Sequence, residues 1–292
     1  MSTDDPGGRL VEIARDRPER VDLDALGICL DADSEAVRLG AAEALARLAL
    51  SGRDVSRHRA RIESLLADTD LLDERIRLSV DDSDGFFQPG AVGFAVSAMV
   101  LTGHADPESL LRVAARAHER RHSEFEAEIR RYSAVRDLGW ALASVVIFTD
   151  AHEATLMDLV ASADSTSRRI ATAGLAAIAE EYAPICGDLP EATQRMVVVA
   201  ADRLATDPER RVRYHAAFTL HEFALDDPET ISGRLETLRA ALDDEYDLVR
   251  KEAVGALGVL GVVDAAAEIR ELRDDPSERV KEAAASALDN LR

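Results

Sequence analysis

The sequence predicts an all-α solenoid of about seven helical hairpins. A short pattern of small and aliphatic residues recurs along the 292-residue chain, at intervals typical of helical-hairpin repeats. Aromatic residues make up only 4% of the chain, which is little for an ordinary globular core, whereas alanine-rich hairpins fill a core by close helix approach. Because no long Gly-, Ser- or Pro-rich linker interrupts the pattern, we expect one solenoid domain over residues 1–292.

The clearest copy of the pattern is Asp243–Gly261, an acidic turn followed by a helix with one apolar stripe. Positions 0, +4, +7, +8 and +11 lie on one side of an α-helix, and here they hold Val249, Ala253, Ala256, Leu257 and Leu260. We call the residue at position 0 the anchor of its copy. The seven anchors are Val37, Ala91, Val135, Ile170, Val212, Val249 and Val280.

Charged residues recur at fixed places around the anchors. A basic residue follows the anchor in five copies, at Arg38, Arg136, Arg213, Arg250 and Lys281. An aspartate stands four or five residues before the anchor in four copies, at Asp33, Asp207, Asp244 and Asp275. This arrangement resembles the HEAT repeat family, in its short PBS-lyase variety. The resemblance is weaker in the second and fourth copies, where Val92 and Ala171 replace the basic residue.

The elements follow one another in hairpin order. We expect an N-terminal helix at Leu10–Ala14, a first outer helix at Val21–Leu30, a first inner helix at Ser34–Leu50 and a second outer helix at Val55–Ala67. An irregular insertion of about 68–90 comes next, and we expect Phe86 and Phe87 to pin it onto the solenoid. The third unit is enlarged, at about 106–148. Asp-Pro pairs mark helix starts at Asp106, Asp207, Asp227 and Asp275.

The charge of the chain indicates the salt concentration in which the protein works. The formal net charge is −21, and Lys251 and Lys281 are the only lysines among 35 basic residues. Such a surface repels itself at low ionic strength and is screened by molar salt, so we predict a cytoplasmic protein of a halophilic archaeon. The alternative is an acidic mesophilic protein from a GC-rich genome. Strong acidity argues against nucleic acid and anionic membrane as partners.

The sequence gives little indication of catalysis. His-Glu pairs occur at His118, His152 and His221. HEAT-type deoxyhypusine hydroxylases carry such pairs just after the anchor in equivalent repeats, but here those positions hold Tyr214-His215, Lys251-Glu252 and Lys281-Glu282. The chain also lacks Gly-rich phosphate loops and Cys/His metal spacings. We therefore expect neither enzymatic activity nor a metal or cofactor.

The face opposite the core stripe is the first candidate binding site. Positions +2, +6 and +9 point away from the core and are surprisingly uncharged for so acidic a chain. In the fifth and sixth copies they hold Tyr214, Phe218, His221, Lys251, Gly255 and Gly258, an aromatic ridge beside a glycine-floored trough. Such a strip suits a peptide or helix of another protein. Two alternatives remain open: the strip is buried between inner helices, or it binds a small ligand as an accessory subunit of the lyase type.

A basic cluster in the third unit is the second candidate. Its arginines are Arg112, Arg116, Arg120 and Arg121, which could receive an acidic partner. Glutamates at 119, 124, 126 and 128 are interleaved with them, so the alternative is a solvated face in which helical pairs neutralise the charge.

Overall fold

The computed structural model describes residues 6–68, 76–80, 84–88, 91–121, 127–149, 152–186 and 190–291. The chain forms two compact units, Met1–Thr155 and Leu156–Arg292. The single domain expected over residues 1–292 stays a prediction.

Helices dominate both units. The α-helices of the described residues are α1 (Pro6–Asp16), α2 (Leu23–Leu30), α3 (Glu35–Leu50), α4 (Arg59–Asp68), α5 (Ala91–Leu101), α6 (Pro107–Arg121), α7 (Ala127–Thr149), α8 (Glu153–Val160), α9 (Ser165–Cys186), α10 (Pro190–Thr206), α11 (Arg210–Asp226), α12 (Pro228–Ile231), α13 (Leu235–Ala240), α14 (Asp247–Val259), α15 (Ala266–Glu271) and α16 (Glu278–Asn290). Short 3₁₀ turns extend several of them, and α8 crosses the boundary between the two units.

The first unit is a two-layered stack. Its inner helices α1, α3, α5 and α7 pack against one another in that order, and the outer helices α2, α4 and α6 cover α3, α5 and α7. The second unit repeats this plan with inner helices α9, α11, α14 and α16. Its outer layer consists of α10, the short pair α12 and α13, and α15. The predicted all-α solenoid of helical hairpins is confirmed as the fold class.

Two described stretches of the insertion at about 68–90 are strands and not irregular loop. Strands β1 (Ile76–Val80) and β2 (Asp84–Gln88) form an antiparallel pair, with Ile76 opposite Gln88 and Val80 opposite Asp84. Since strand pairing satisfies backbone donors and acceptors, this part of the insertion is a β-hairpin and not an irregular loop. The side chains of Phe86 and Phe87, expected to pin the insertion, lie outside the described residues.

Small residues set the distance between inner helices. A Cβ atom added to Gly40 of α3 would lie 2.7 Å from the backbone of Gly7 in α1. A Cβ atom on Gly258 of α14 would lie 2.6 Å from the Cβ of Ala287 in α16. These helices therefore approach too closely for a side chain at either glycine, which explains how a chain with few aromatic residues fills its core.

Each anchor lies on a different inner helix. Val135, Ile170, Val212, Val249 and Val280 are buried, whereas Val37 and Ala91 are partly exposed. The periodicity of the sequence thus located the core stripe of the five later copies. Val37 is partly covered by α1, since its backbone is close to Gly7.

The recurring arginines and aspartates of the second unit form a ladder between neighbouring inner helices. The Nε atoms of Arg168, Arg213 and Arg250 lie 2.7–2.8 Å from an oxygen of the aspartate that precedes the next inner helix. The aspartates are Asp207, Asp244 and Asp275. We call these three pairs the arginine–aspartate ladder. At the equivalent place on α16, Lys281 pairs instead with Glu278 of its own helix.

Each rung also fixes the turns on either side of it. The Nη1 atom of each ladder arginine donates to a carbonyl oxygen six residues before it in the chain, on Ser162, Asp207 or Asp244. Each aspartate also accepts the backbone N–H two residues further on, at Glu209, Tyr246 or Ser277. Every rung therefore joins two turns and two helices.

The ladder corrects two expectations. The fourth copy does have its basic residue, Arg168, so the register there is three residues earlier than the anchor Ile170 suggests. Also, the Asp-Pro pairs differ in role. Helices α6 and α12 begin at the proline as predicted, but α11 and α16 begin two residues after Pro208 and Pro276, because the aspartate before these prolines is buried in a rung.

Candidate functional site

A strip of partly exposed residues crosses α11 and α14 on the side away from the core stripe. On α11 it consists of Arg211, Tyr214, Phe218 and Glu222. On α14 it consists of Leu248, Lys251, Gly255 and Val259. We call these residues the α11–α14 strip. Its positions are −1, +2, +6 and +10 from the anchor, so it shares +2 and +6 with the predicted face, adds −1, and has +10 in place of +9.

Elsewhere the predicted face is largely closed. The residues at its positions are buried on α7 (Asp137 and Ala141) and on α5 (Gly93 and Ser97), where only Val100 is partly exposed. On α9, with the register moved three residues earlier, Ala173 and Ala176 are buried and Arg169 is partly exposed. For these helices, burial between neighbours is the correct interpretation. On α16 the equivalent residues Glu282, Ser286 and Asp289 are exposed. Among α5, α7, α9, α11, α14 and α16, partly exposed aromatic residues at these positions therefore occur on α11 alone. The expectation of an uncharged strip is corrected, because the α11–α14 strip also carries Arg211, Glu222 and Lys251.

Aromatic rings make one edge of the strip. The rings of Tyr214 and Phe218, one helical turn apart on α11, have centroids 6.2 Å apart. Tyr246, at the N-cap of α14, meets Tyr214 edge-on at 6.4 Å. The guanidinium carbon of Arg210 lies 5.1 Å from the centroid of the Tyr246 ring. Sequence analysis missed Tyr246, although it stands three residues before an anchor in the acidic turn.

His221 lies across the contact between the two helices. Its Nδ1–H donates to Oε2 of Glu252 at 2.8 Å, and Nζ of Lys251 donates to Oε1 of the same carboxylate at 2.8 Å. Glu252 is only 2% exposed. The buried carboxylate therefore holds both side chains in place, in accordance with the rule that buried charges are paired.

Gly255 leaves the space that the His221 ring occupies. A Cβ atom on Gly255 would lie 2.5 Å from Cε1 and 2.8 Å from Nε2 of His221. The trough predicted above Gly255 is thus filled by the imidazole. Gly258 is a correction to the predicted site: it is buried against Ala287 of α16, so it belongs to a helix–helix contact, and Val259 takes its place on the strip.

Burial and pairing shift the ionisation of this region. Burial raises the pKa of Glu252, but the hydrogen bonds from His221 and Lys251 outweigh it, so its pKa lies below the ordinary glutamate value. Burial, aided by the nearby charge of Glu252, raises the pKa of Glu222. Burial lowers the pKa of His215 to about 3, with Arg211 and Arg169 acting in the same sense, so the His215 ring is neutral at physiological pH.

The second candidate surface is only partly described. Arg112 and Arg116 are exposed on α6, whereas the side chains of Arg120 and Arg121 lie outside the described residues. The basic residues one repeat earlier are largely paired: Arg57 with Asp24, Arg59 with Glu63 and Arg61 with Asp31. Only the pair of Arg59 with Glu63 lies within one helix; the other two reach α2 and the turn after it. The self-paired face of the third unit stays a prediction.

Metal and membrane features are absent from the part of the chain that the structure describes. In those residues, no group of three or more His, Cys, Asp or Glu side chains is placed to hold a metal ion. No helix there is both long and apolar enough to cross a bilayer.

Comparison with known families matches the second unit. Residues 197–289, from within α10 to one residue before the end of α16, match the family model of HEAT repeats. This segment contains the α11–α14 strip and two of the three ladder rungs. No curated protein matches the chain.

Solved structures share the fold over most of the chain. Two engineered proteins are each 22% identical to it, with TM-scores of 0.51 and 0.50; each match covers 93% of this chain, and 96% and 99% of the engineered chains. A designed armadillo repeat protein in complex with the peptide (KR)4 is 18% identical, with a TM-score of 0.50, over 93% of this chain and 100% of that one. At these identities the likeness concerns the helical-repeat fold.

Proposed function

We propose that this chain is a non-enzymatic scaffold that binds a segment of another protein on the α11–α14 strip. The observation that carries the proposal is the partial exposure of Tyr214 and Phe218. The equivalent residues on α5, α7 and α9 are small or polar and mostly buried. Partly exposed aromatic residues at a rigid helical face are typical centres of binding energy in protein interfaces.

The filled trough favours a protein segment over a small ligand. The His221 ring occupies the space above Gly255, and its hydrogen bond to Glu252 fixes it there. A small ligand needs a concave pocket that covers most of its surface. The strip instead offers a row of aromatic, aliphatic and charged side chains along two neighbouring helices, which an extended or helical segment could cover.

The designed armadillo repeat protein binds its peptide in a fold of the same kind. Its low identity gives no residue-level guide to this chain. It does indicate that peptide binding is a reasonable use of such a stack of helices. The proposed partner is a protein, because a chain of net charge −21 repels nucleic acid and anionic membranes.

Truncation of the aromatic ridge tests the proposal. Peptides selected from a displayed random library against the wild-type protein should bind Tyr214→Ala and Phe218→Ala about 30-fold more weakly, because hot-spot residues contribute about 2 kcal/mol each. Fluorescence anisotropy measures the affinity, and thermal melts should place both variants close to the wild type. Val198→Ala is the matched control, since Val198 is 46% exposed on the outer helix α10.

Two outcomes contradict the proposal. If both aromatic variants melt far below the wild type, the ridge is packing and not a binding surface. If they fold and still bind every selected peptide, the partner lies elsewhere, and the surface around Arg112 and Arg116 becomes the leading candidate. Val249→Asp serves as the folding reference, because a charge at a fully buried anchor should prevent folding.

A further inference from the structure

The N-terminal edge of the α11–α14 strip already holds a guanidinium group. Arg210 of α11 is exposed, and its guanidinium carbon lies over the Tyr246 ring at 5.1 Å. Positions within about 6 Å of a ring centroid allow a cation–π attraction. The molecule therefore shows directly that the face of Tyr246 accepts an arginine side chain.

The surroundings of this ring suit a second cation. Tyr246 lies in the acidic turn Asp243–Asp247, where Glu245 has a side chain 79% exposed and Asp243 is also exposed. The carboxylate of Glu245 already accepts a hydrogen bond from Arg213 at 3.1 Å. The aromatic edge continues to Tyr214 at 6.4 Å and from there to Phe218. Because acidic residues surround Tyr246 in the sequence of this turn, the turn favours a guanidinium group through charge as well as through the π-face of the ring.

The first unit contains a similar contact. Arg47 of α3 lies over the ring of Phe94 in α5, 5.7 Å from its centroid. There the guanidinium is also held by Glu43 of its own helix. In both units an arginine of one inner helix therefore covers an aromatic ring of the next inner repeat.

We infer that the partner of the α11–α14 strip presents an arginine side chain, which replaces Arg210 on the face of Tyr246 between Tyr214 and the Asp243–Asp247 turn. This inference rests on the proposed function and adds the chemistry of the partner to it. Arg210 acts as an intramolecular competitor for the same ring. The free protein thus keeps the aromatic face covered until a partner arginine takes it.

A set of matched peptides tests the preference. Labelled octapeptides that alternate glycine with arginine, lysine, citrulline or glutamate are titrated into the full chain, and binding is followed by anisotropy and by the ring proton signals of Tyr246. We expect the arginine peptide to bind most tightly, then lysine, with citrulline at least about fivefold weaker than arginine because it keeps the shape and loses the charge. Tyr246→Leu should weaken arginine binding about fivefold, whereas Tyr246→Phe should retain it.

The sharper test is the removal of the competitor. Arg210→Ala should strengthen binding of the arginine peptide about two- to fivefold, because the peptide no longer has to displace the Arg210 side chain from the face of Tyr246. Arg234→Ala is the control for the loss of one positive charge, because Arg234 lies on a 3₁₀ turn of the outer layer. Equal affinity for arginine and citrulline peptides, no detectable arginine binding, or unchanged or weaker binding by Arg210→Ala would overturn the inference.

The inference and the proposed function can fail separately. Suppose that library peptides need Tyr214 and Phe218 for binding, carry no arginine, and bind Arg210→Ala and the wild type equally well. That result would leave the scaffold function intact and contradict the arginine preference. A library that yields no binder to the strip would remove the scaffold function, and the inference with it.

Discussion

His221 illustrates how one residue can join two repeats. Its ring rests on Gly255 because that position has no side chain, and its Nδ1–H binds a carboxylate that is almost fully buried. Glu252 in turn needs both His221 and Lys251, since a buried carboxylate without partners is strongly destabilising. Glycine at 255 and histidine at 221 are therefore a matched pair, and neither is replaceable alone.

Gly255→Ala should be markedly more harmful than an ordinary glycine-to-alanine change in a helix. The new methyl group would lie 2.5 Å from the imidazole, so His221 must move and its bond to Glu252 is lost, at about 1–3 kcal/mol of unfolding free energy. Denaturant unfolding measures the change. The matched control is Gly233→Ala, where the added Cβ meets nothing within 4 Å.

A double-mutant cycle identifies the cause. In the background of His221→Ala the methyl group has room, so Gly255→Ala should become neutral or slightly stabilising, as alanine favours helix more than glycine. Equal costs in both backgrounds would show that Gly255 matters for another reason.

The arginine–aspartate ladder connects the elements of the second unit. Each rung binds an inner helix to the turn before the next one, and the aspartate also caps that turn. Arginine suits this position because its rigid planar fork directs separate N–H donors at the carboxylate and at the carbonyl, whereas the donors of a lysine ammonium all converge on one flexible nitrogen. The Asp275 rung has the further property that its strength depends on pH.

Asp275→Asn should lower the unfolding free energy by about 2–3 kcal/mol at pH 7, the range for hydrogen bonds between charged groups. Arg250 and the N–H of Ser277 hold the pKa of Asp275 below its ordinary value of 3.8, against the opposing effect of burial. A lowered folded-state pKa contributes stability that is present above pH 3.8 and is lost as pH falls through the folded-state pKa. The gap between variant and wild type should therefore close below pH 3.8, as measured by urea unfolding across pH.

The exposed Asp243 provides the comparison for this experiment. Asp243→Asn removes a carboxylate from a turn of the second unit and should change stability little at any pH. A gap for Asp275→Asn that persists unchanged to pH 2.5 would mean that the carboxylate charge is not what stabilises the rung.

Element-level features were predictable where they depend on local periodicity. The inner helix α3 and the core positions of Val212, Val249 and Val280 follow from the 3.6-residue repeat. Whether the opposite face is exposed depends on how closely the neighbouring helices approach. The sequence of a single helix does not determine that distance. Thus Thr172 and Gly258 proved buried, while Tyr214 and Phe218 are partly exposed. Tyr246 was missed because its role arises only beside Tyr214 and Arg210 of the preceding repeat.

At the scale of the whole molecule, charge is the dominant feature. The chain has 56 acidic residues against 35 basic ones, a net charge of −21, so carboxylates outnumber the basic side chains that could pair with them. The halophilic origin suggested by this composition stays a prediction. It has a direct physical consequence in solution.

Helicity and melting temperature should rise between low and molar KCl. Molar salt reduces the screening length to about 3 Å, which removes the repulsion between surface carboxylates. Circular-dichroism melts at increasing KCl measure the effect, and a series at constant ionic strength in KCl and NaCl separates screening from ion-specific binding. A melting temperature that is independent of salt would contradict the halophile interpretation.

The spacing of the ladder carries a consequence for engineering. The rungs join residues 39, 31 and 25 positions apart along the chain, yet their bond lengths are nearly equal. Part of this difference lies in the inner helices, because α9 continues for 18 residues after Arg168 and α14 for 9 residues after Arg250. The segment from the end of the inner helix to the ladder aspartate is 21 residues long after α9 and 16 after α14, so it tolerates a difference of five residues without altering the inner register. The turns of the outer layer are therefore suitable insertion sites for a reporter domain. A fluorescent protein inserted there should leave the α11–α14 strip unchanged.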